Sequence, residues 1–506
     1  MLWTSPSPDA EEAPLSGPRS SGPEREIELK FLCEPRDLDA LLAAAPEGET
    51  ELKALRATYF DTPDGRLKAR RISLRVRESG GKHVQTLKRG DGFGREEYEQ
   101  RVEALDLDMP ALKKALTGPR RRALAPAFTV AVERRQRVVT YHGAAVEIAA
   151  DLGTIQAGDA RREISELELE LKAGSPRALF DLARELSKTA PLYLSYEGKA
   201  AQGQALGGGA LLAPRRLEKI ALDADLSAAE AFQVIARASL SAIAANAALV
   251  RETSDEAALH QLRVAVRRLR SAIAACADLV GDAEAPGIRA GLKWLAGTCG
   301  EARDLDVFIA SLEGAPEAAL LAEPLAQARA HAYAKACAAL SSGRFRDLVI
   351  EAAAWIETGA WVAGPGKAPA QRRAEPARAF AARALAQRWK AWKRLAGDFE
   401  TLDVAGRHRL RLKAKGLRYA AEAFASLFPA RPAARLVTRV KALQDELGAL
   451  NDAVVAKALL DGLRLDLAQR EAATSLVAAR ARTGKRGLKR ARKAAERVAE
   501  SEKFWR

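Results

Sequence analysis

The sequence predicts two units. The first is an α+β unit built on an antiparallel sheet or barrel, and the second is an all-α unit made of two related halves. Three observations carry this. Between residues 24 and 203, apolar and charged side chains alternate with the two-residue period of a strand, and glycine turns separate the runs. From about residue 216 onward strand signals almost vanish, and Ala/Leu/Arg patterns recur at helical spacing. Two stretches 148 residues apart then repeat one histidine followed by cations: His260-Gln-Leu-Arg263-Val-Ala-Val-Arg267-Arg-Leu-Arg270 and His408-Arg-Leu-Arg411-Leu-Lys-Ala-Lys415-Gly-Leu-Arg418.

In chain order, residues 1–23 are rich in Ser, Pro and Glu and read as a disordered tail. Residues 24–203 form the strand unit. Alternation is clear over 26–31, 72–77, 83–88, 146–148 and 165–172. Gly80-Gly81 reads as a tight hairpin, and Gly90–Gly94 as a looser one. Helical patterns around 36–45, 109–117 and 176–190 would pack outside the sheet. Residues 204–215 are glycine-rich and read as a linker. Residues 216–475 form the helical unit, broken near 281–286, 314–316, 364–369 and 429–432 by Gly and Pro. Residues 476–506 read as a basic helix or tail that frays.

The net charge of +15 over 506 residues is unevenly placed. From Arg215 onward 49 Lys and Arg stand against 33 Asp and Glu, whereas residues 1–214 hold 32 against 33. The second unit is therefore the one suited to a polyanion. Cys33, Cys276, Cys299 and Cys337 are scattered without metal-ligand spacing, which fits free thiols in a reducing cytoplasm. No run of roughly 18 consecutive apolar residues is present, so no membrane partner is expected. No secretory leader is recognisable.

The strand unit repeats one charge sign per face. Glu26, Glu28 and Lys30 share a face, as do Glu166, Glu168, Glu170 and Lys172; Arg75 pairs with Arg77, and Glu97 with Glu99. Turned inward, these faces would give a cavity a carboxylate side and a cation side. That chemistry suits a metal–polyphosphate complex: carboxylates hold Mg²⁺ or Mn²⁺, and Arg and Lys neutralise phosphate oxygens. The plainer reading of such alternation is a mixed-charge outer face.

Glu26-Ile-Glu28-Leu-Lys30 resembles the ExExK signature of the CYTH family, the triphosphate tunnel metalloenzymes. Supporting segments follow in order: Thr58-Tyr-Phe-Asp61-Thr62, Leu74-Arg75-Val-Arg77, Gln85-Thr-Leu-Lys88, Arg95-Glu-Glu97, Val146–Gly153 and Ser165–Glu170. The resemblance implies an eight-stranded antiparallel barrel enclosing a charged tunnel. It implies metal held by Glu26, Glu28, Glu166, Glu168 and Glu170. It also implies that Lys30, Arg75, Arg77, Lys88, Arg134 and Lys199 grip phosphate beside Glu97. Arg135 and Arg137, of opposite parity, compete with Arg134 for its role. Gln136 and Gln202 stand where the family often has a cation, which would weaken phosphate binding or shift chain-length preference.

On a helix, positions 0, 3, 7 and 10 fall within an arc of about 80°. Each repeat thus aligns one imidazole with three cations, an arrangement that repels itself unless an anion lies along it. The offset persists at Lys293/Lys441, Leu295/Leu443, Gly300/Gly448 and Asp304/Asp452. These segments resemble the CHAD domain, a helical module often joined to CYTH. That resemblance implies two four-helix halves and binding of inorganic polyphosphate. Its candidate ligands are His260, Arg263, Arg267, Arg270, His408, Arg411, Lys415 and Arg418. Asp304 and Asp452 read as helix-capping or charge-pairing residues, His83, His142 and His331 as structural, and the tryptophans as core anchors. Arg388–Arg394 mixes bases with aromatics as nucleic-acid binders do, yet at amphipathic-helix spacing.

The expected function is metal-dependent hydrolysis of inorganic triphosphate or a related compound. A polyphosphate-binding partner domain would serve it, in the cytoplasm or on polyphosphate granules. Cyclisation of ATP and non-catalytic granule binding are the rival readings. Nucleic acid is the rival ligand for the basic stripes.

Overall fold

A computed structural model describes residues 24–89, 95–109, 124–209, 213–449, 452–481 and 484–506. The expected tail 1–23, the Gly90–Gly94 turn and nearly all of the 109–117 helix lie outside the described residues.

Ten described strands form one antiparallel sheet: β1 (Glu24–Glu26), β2 (Glu28–Leu32), β3 (Glu51–Asp61), β4 (Ile72–Ser79), β5 (Lys82–Arg89), β6 (Arg95–Val102), β7 (Ala125–Tyr141), β8 (Ala144–Ala157), β9 (Ala160–Ala173) and β10 (Tyr193–Ser195). Their order is β1-β6-β5-β4-β3-β7-β8-β9-β2-β10. Only Ile27 separates β1, which pairs with β6, from β2, which pairs with β9 and β10. The β4–β5 turn is the predicted hairpin: Gly80 and Gly81 take φ of +55° and +72°, as a type I′ turn requires.

Strand parity decides what each face meets. Leu29 and Phe31 of β2, Ile148 and Ala150 of β8, and Leu167 and Leu169 of β9 turn outward. They are buried with α1 (Leu38–Ala44) and α3 (Arg177–Leu186), while α2 (Arg66–Ala69) covers Leu74 and Leu87. The opposite face changes character along the strands. On β7 it runs Phe128, Val130, Val132, then Arg134 and Gln136; on β9 it runs Ile164, then Glu166, Glu168 and Glu170.

The apolar end of that face is covered by α4 (Lys199–Gly207), whose Ala200 and Leu206 pack on Tyr59, Phe128 and Ile155. Gly203 lets the helix approach: a Cβ there would lie 2.2 Å from the Phe128 ring. The start of the expected linker, residues 204–207, is therefore the end of a packed helix, because glycine here serves close approach and not freedom.

The rest of the chain is helical: α5 (Ala228–Thr253), α6 (Glu256–Ala275), α7 (Ala285–Thr298), α8 (Gly300–Ala310), α9 (Ala318–Ser341), α10 (Gly343–Thr358), α11 (Ala377–Gly397), α12 (Val404–Phe424), α13 (Ala430–Ala449), α14 (Asp452–Asp461), α15 (Leu467–Ala481) and α16 (Gly484–Ala499). Short helices at Ala277–Val280, Ala360–Ala363 and Lys367–Ala374 fill the connections.

The α6 and α12 helices match at the sequence offset. Asp255 caps α6 through Ala258 N, and Asp403 caps α12 through Gly406 N. Leu262, Val266 and Leu269 are buried on one, and Leu410, Ala414 and Leu417 on the other. The basic end does not fray: Val498, Phe504 and Trp505 are buried, with Phe504 and Trp505 edge-on to Phe428 and Trp389. By length and composition α5 could cross a membrane, at a mean hydropathy of 1.4, but most of it is buried in the helical core.

The two units share one continuous apolar core. Arg184 pairs with Glu351 at 2.7 Å, and Arg177 with Glu284 at 3.4 Å, across their contact.

Candidate functional site

The charged face of the sheet lines one cavity of about 970 Å³. Strands β2, β8 and β9 contribute Glu28, Glu147, Glu168 and Glu170; β4 and β5 contribute Arg75, Arg77 and Lys88. In the strand order the acidic set and the basic set stand on opposite sides of β3 and β7. Register explains the acidic wall. Glu28 lies directly across from Glu170, and Glu147 also pairs with Glu170 on its other side. Like charges so placed are unfavourable without a cation between them. Lys172 supplies one, 2.7 Å from Glu170 and 3.5 Å from Glu147.

Between the apolar end and the open cavity lies a buried ion network. Lys199, from the first turn of α4, places its ammonium 2.7 Å from Asp151, 2.6 Å from Glu166 and 2.8 Å from Glu168. Arg134 bonds Asp151 through Nε at 2.7 Å and reaches Glu168 at 2.5 Å. Lys30 lies 2.7 Å from Glu168 and 3.6 Å from Glu28. Gln202 Nε2 donates to Glu166 at 2.6 Å.

Burial opposes every charge here, and the partners prevail. Lys199, Lys30 and Arg134 are held above their ordinary pKa by the carboxylates. Glu168 is held well below its own by Lys199, Lys30 and Arg134. Oxygens of Asp151, Glu166 and Glu168 come close enough to share a metal. However, the Lys199 ammonium already bridges all three, so this trio is an internally neutralised floor.

The basic wall is less committed. Arg75 is half-buried, with a buried Nε that has no partner among the described residues and one terminal nitrogen 3.4 Å from the Tyr59 hydroxyl. Burial raises the Tyr59 pKa, but neighbouring Arg75, with Lys199 and Lys88, more than reverses this and leaves it lowered. Arg77 lies 3.7 Å from Glu99. Lys88 lies 3.3 Å from Glu97, its cross-strand neighbour.

Of the expected tunnel residues, Glu28, Lys30, Arg75, Arg77, Lys88, Glu97, Arg134, Glu168, Glu170 and Lys199 meet at this cavity. The Glu26 side chain lies outside the described residues. Glu166 is fully buried behind Lys199 and Gln202; it belongs to the trio whose oxygens come close enough to share a metal and does not line the open cavity. The parity question resolves to Arg134. Arg135 pairs with Asp39 on the outer side, and Arg137 donates to the carbonyls of Leu42 and Ala45. Sequence reasoning passed over Asp151 and Glu147 as functional candidates. Their shared inward parity with Glu168 across β8 and β9 was the available signal.

In the helical unit, α6 and α12 lie face to face. The Arg267 guanidinium sits 4.9 Å from the Tyr419 ring centre. Arg263, Arg267, Arg411 and Arg418 surround Lys415; burial first, and then these arginines, depress its pKa to about 8. His260 lies beside Arg303, Arg267 and Arg263, and burial with their charge lowers its pKa. Arg270 and His408 are exposed. Trp389 and Trp392 are buried, so the Arg388–Arg394 motif is an amphipathic helix face.

Residues 24–203 match the CYTH domain, and residues 234–461 match the CHAD domain. An inorganic triphosphatase of Haemophilus influenzae is 30% identical over 194 residues, covering 36% of this chain and 55% of that protein. An inorganic triphosphatase of Nitrosomonas europaea is 34% identical over 84 residues, covering 17% of this chain and 46% of that protein. The chain thus spans about half the length of these curated relatives. The crystal structure of the CHAD domain from the plant Ricinus communis is 31% identical, with a TM-score of 0.47, covering 56% of this chain and 96% of that one. The order of these matches along the sequence makes this chain a two-domain protein, a CYTH domain followed by a CHAD domain.

Proposed function

We propose that the CYTH domain hydrolyses inorganic triphosphate, or a closely related triphosphate compound, with the help of a divalent metal. We propose that the CHAD domain binds inorganic polyphosphate. The observation that carries the first reading is one cavity with a carboxylate wall facing an arginine–lysine wall. The sheet order fits closure into an eight-stranded tunnel barrel, counting β1 and β2 as one strand, with β10 added beside it. The matched caps and buried faces of α6 and α12 fit two repeated four-helix halves.

Each group has a role. Arg75, Arg77 and Lys88 neutralise phosphate oxygens along the basic wall, and Arg75 brings a buried donor not yet used. Lys30 spans Glu28 and Glu168 and orients the acidic wall. Lys199 and Arg134 keep Glu168 ionised and fixed. Glu28, Glu147 and Glu170 fit a divalent ion: they are hard oxygen donors placed directly across from one another on adjacent strands. Bound there, Mg²⁺ or Mn²⁺ would supply charge to the phosphate oxygens and activate water. No side chain need act as a covalent nucleophile.

Phosphate release from triphosphate, long polyphosphate and ATP, with Mg²⁺ and with Mn²⁺, tests the assignment. Metal-dependent release from triphosphate is expected. Cyclic AMP from ATP, or binding without turnover, would overturn it. The cysteines are unbridged, and burial pushes the Cys276 and Cys299 thiols up to about 12, which supports residence in a reducing cytoplasm.

A further inference from the structure

The repeated halves of the CHAD domain offer an internal comparison, because residues 148 apart occupy equivalent places. In the first copy Arg263 has acceptors, while Arg267 stacks on Tyr419 of the second copy and Arg270 is exposed. Arg263 donates to the Ala296 carbonyl at 2.9 Å and lies 3.9 Å from Asp304. Glu256 pairs with Arg303 at 2.9 Å and Arg329 at 3.7 Å, and Asp306 takes Arg329 at 2.7 Å and the Tyr333 hydroxyl at 2.8 Å. In the second copy exposed Val404 stands for Glu256 and exposed Val454 for Asp306, Asn451 stands for their partner Arg303, and Asp452 keeps the place of Asp304.

Arg411, the counterpart of Arg263, is nonetheless unmet. Arg411 makes no hydrogen bond or ion pair with any described residue, and its Nε is buried. Its guanidinium lies over α13 at Gly448, where a Cβ would be 3.2 Å from a terminal nitrogen, as Arg263 lies over Gly300 at 3.1 Å. One turn earlier on α13, Gln444 replaces Ala296; it is 6% exposed and its Nε2 has no partner. Lys415, one turn along α12 from Arg411, also has none among the described residues. Arg418 uses its terminal nitrogens on Tyr419 (2.8 Å) and Glu422 (3.8 Å), but its buried Nε is idle. A buried donor without an acceptor is unfavourable. Several together mark a place where acceptors arrive from outside.

We propose that the second copy is the phosphate seat of the CHAD domain, with Arg411, Lys415 and Gln444 taking oxygens of a condensed phosphate, while Arg263 of the first copy is already satisfied within the fold. This rests on the reading that the domain binds polyphosphate. A guanidinium fork with a neutral amide one turn away suits adjacent phosphate units, which present oxygens at short and regular intervals.

The test is calorimetric titration of the full chain with polyphosphate of defined length at fixed salt, with circular dichroism and melting as folding controls. Arg411→Ala should weaken binding about tenfold to a hundredfold, the range for a lost hydrogen bond to a charged group. Arg263→Ala should weaken it less than about threefold. Gln444→Glu offers Arg411 an internal carboxylate. It should lower affinity at least about tenfold and leave the melting temperature unchanged or raised, a combination that damage to the fold would not produce. Equal losses for Arg263→Ala and Arg411→Ala, or parental affinity in Gln444→Glu, would overturn the asymmetry alone. A parent chain that binds no polyphosphate overturns the reading beneath it as well.

Discussion

Lys199 holds three carboxylates at once, and the roles of Asp151, Glu166 and Glu168 follow from it. Its position after a glycine, in a stretch otherwise rich in Ala, Gln and Gly, gives no hint of this in the sequence; only the resemblance to a known family singled it out. Glu28, Arg75 and Lys88 were legible from alternation itself, because a two-residue period fixes which side chains share a face. Glu166 shares that period, yet depth along the strand, which periodicity does not carry, removes it from the open cavity. Three predictions belong at this scale. Lys199→Ala strands buried carboxylates and should destabilise the protein by about 3–5 kcal/mol in urea unfolding. Protonation relieves the stranded acids, so the deficit relative to the parent should shrink as pH falls. Glu28→Gln should abolish metal-stimulated phosphate release while melting near the parent, as calorimetry would show. Lys415 faces Arg263 and Arg267 from α6, Arg411 and Arg418 from its own helix, and Asp304 from α8. With its pKa near 8, it is charged below that pH, and above it must take up a proton to meet an anion. Polyphosphate affinity should therefore be flat below pH 8 and fall above it, by up to tenfold per unit for one proton, in titrations at constant salt.

Strands were easier to foresee than the helix that closes on them. Gly153 illustrates how tightly β8 lies on β7: a Cβ there would meet the Ala131 carbonyl oxygen at 2.0 Å, and backbone cannot yield as a side chain does. Gly153→Ala should lower stability by about 1–3 kcal/mol, measured by denaturant unfolding with CYTH and CHAD present together. The end of α4 reads as linker in the sequence because glycine usually signals freedom. Gly203 is instead the point of closest approach to Phe128. The basic terminal helix was misread as fraying for a related reason. Its charges were visible, whereas Val498, Phe504 and Trp505 find their partners, Phe428 and Trp389, far away in sequence. The α6/α12 pair was legible because a duplicated pattern declares itself without any contact being known.

At the scale of the whole chain, the charge split anticipated two units but not how closely they are joined. Leu29 and Phe31 of the sheet and Phe232 and Trp355 of the helical bundle belong to one uninterrupted apolar core. Arg251, from α5, stacks 3.5 Å from the ring centre of Tyr193 in β10. No periodicity encodes such contacts, since each half satisfies its own pattern. A shared core predicts one cooperative thermal transition for the full chain, and calorimetry resolving two independent transitions would contradict it. Lys199 also bears on the order in which the molecule comes into being. Synthesis delivers Asp151, Glu166 and Glu168 well before the residue that neutralises them. Until α4 has left the ribosome, those acids must stay hydrated or protonated, so the sheet cannot settle around a dry floor. The last segment of the CYTH domain is thus the step that lets the earlier strands close, and a nascent chain halted before residue 199 should remain open to proteases that the finished domain resists.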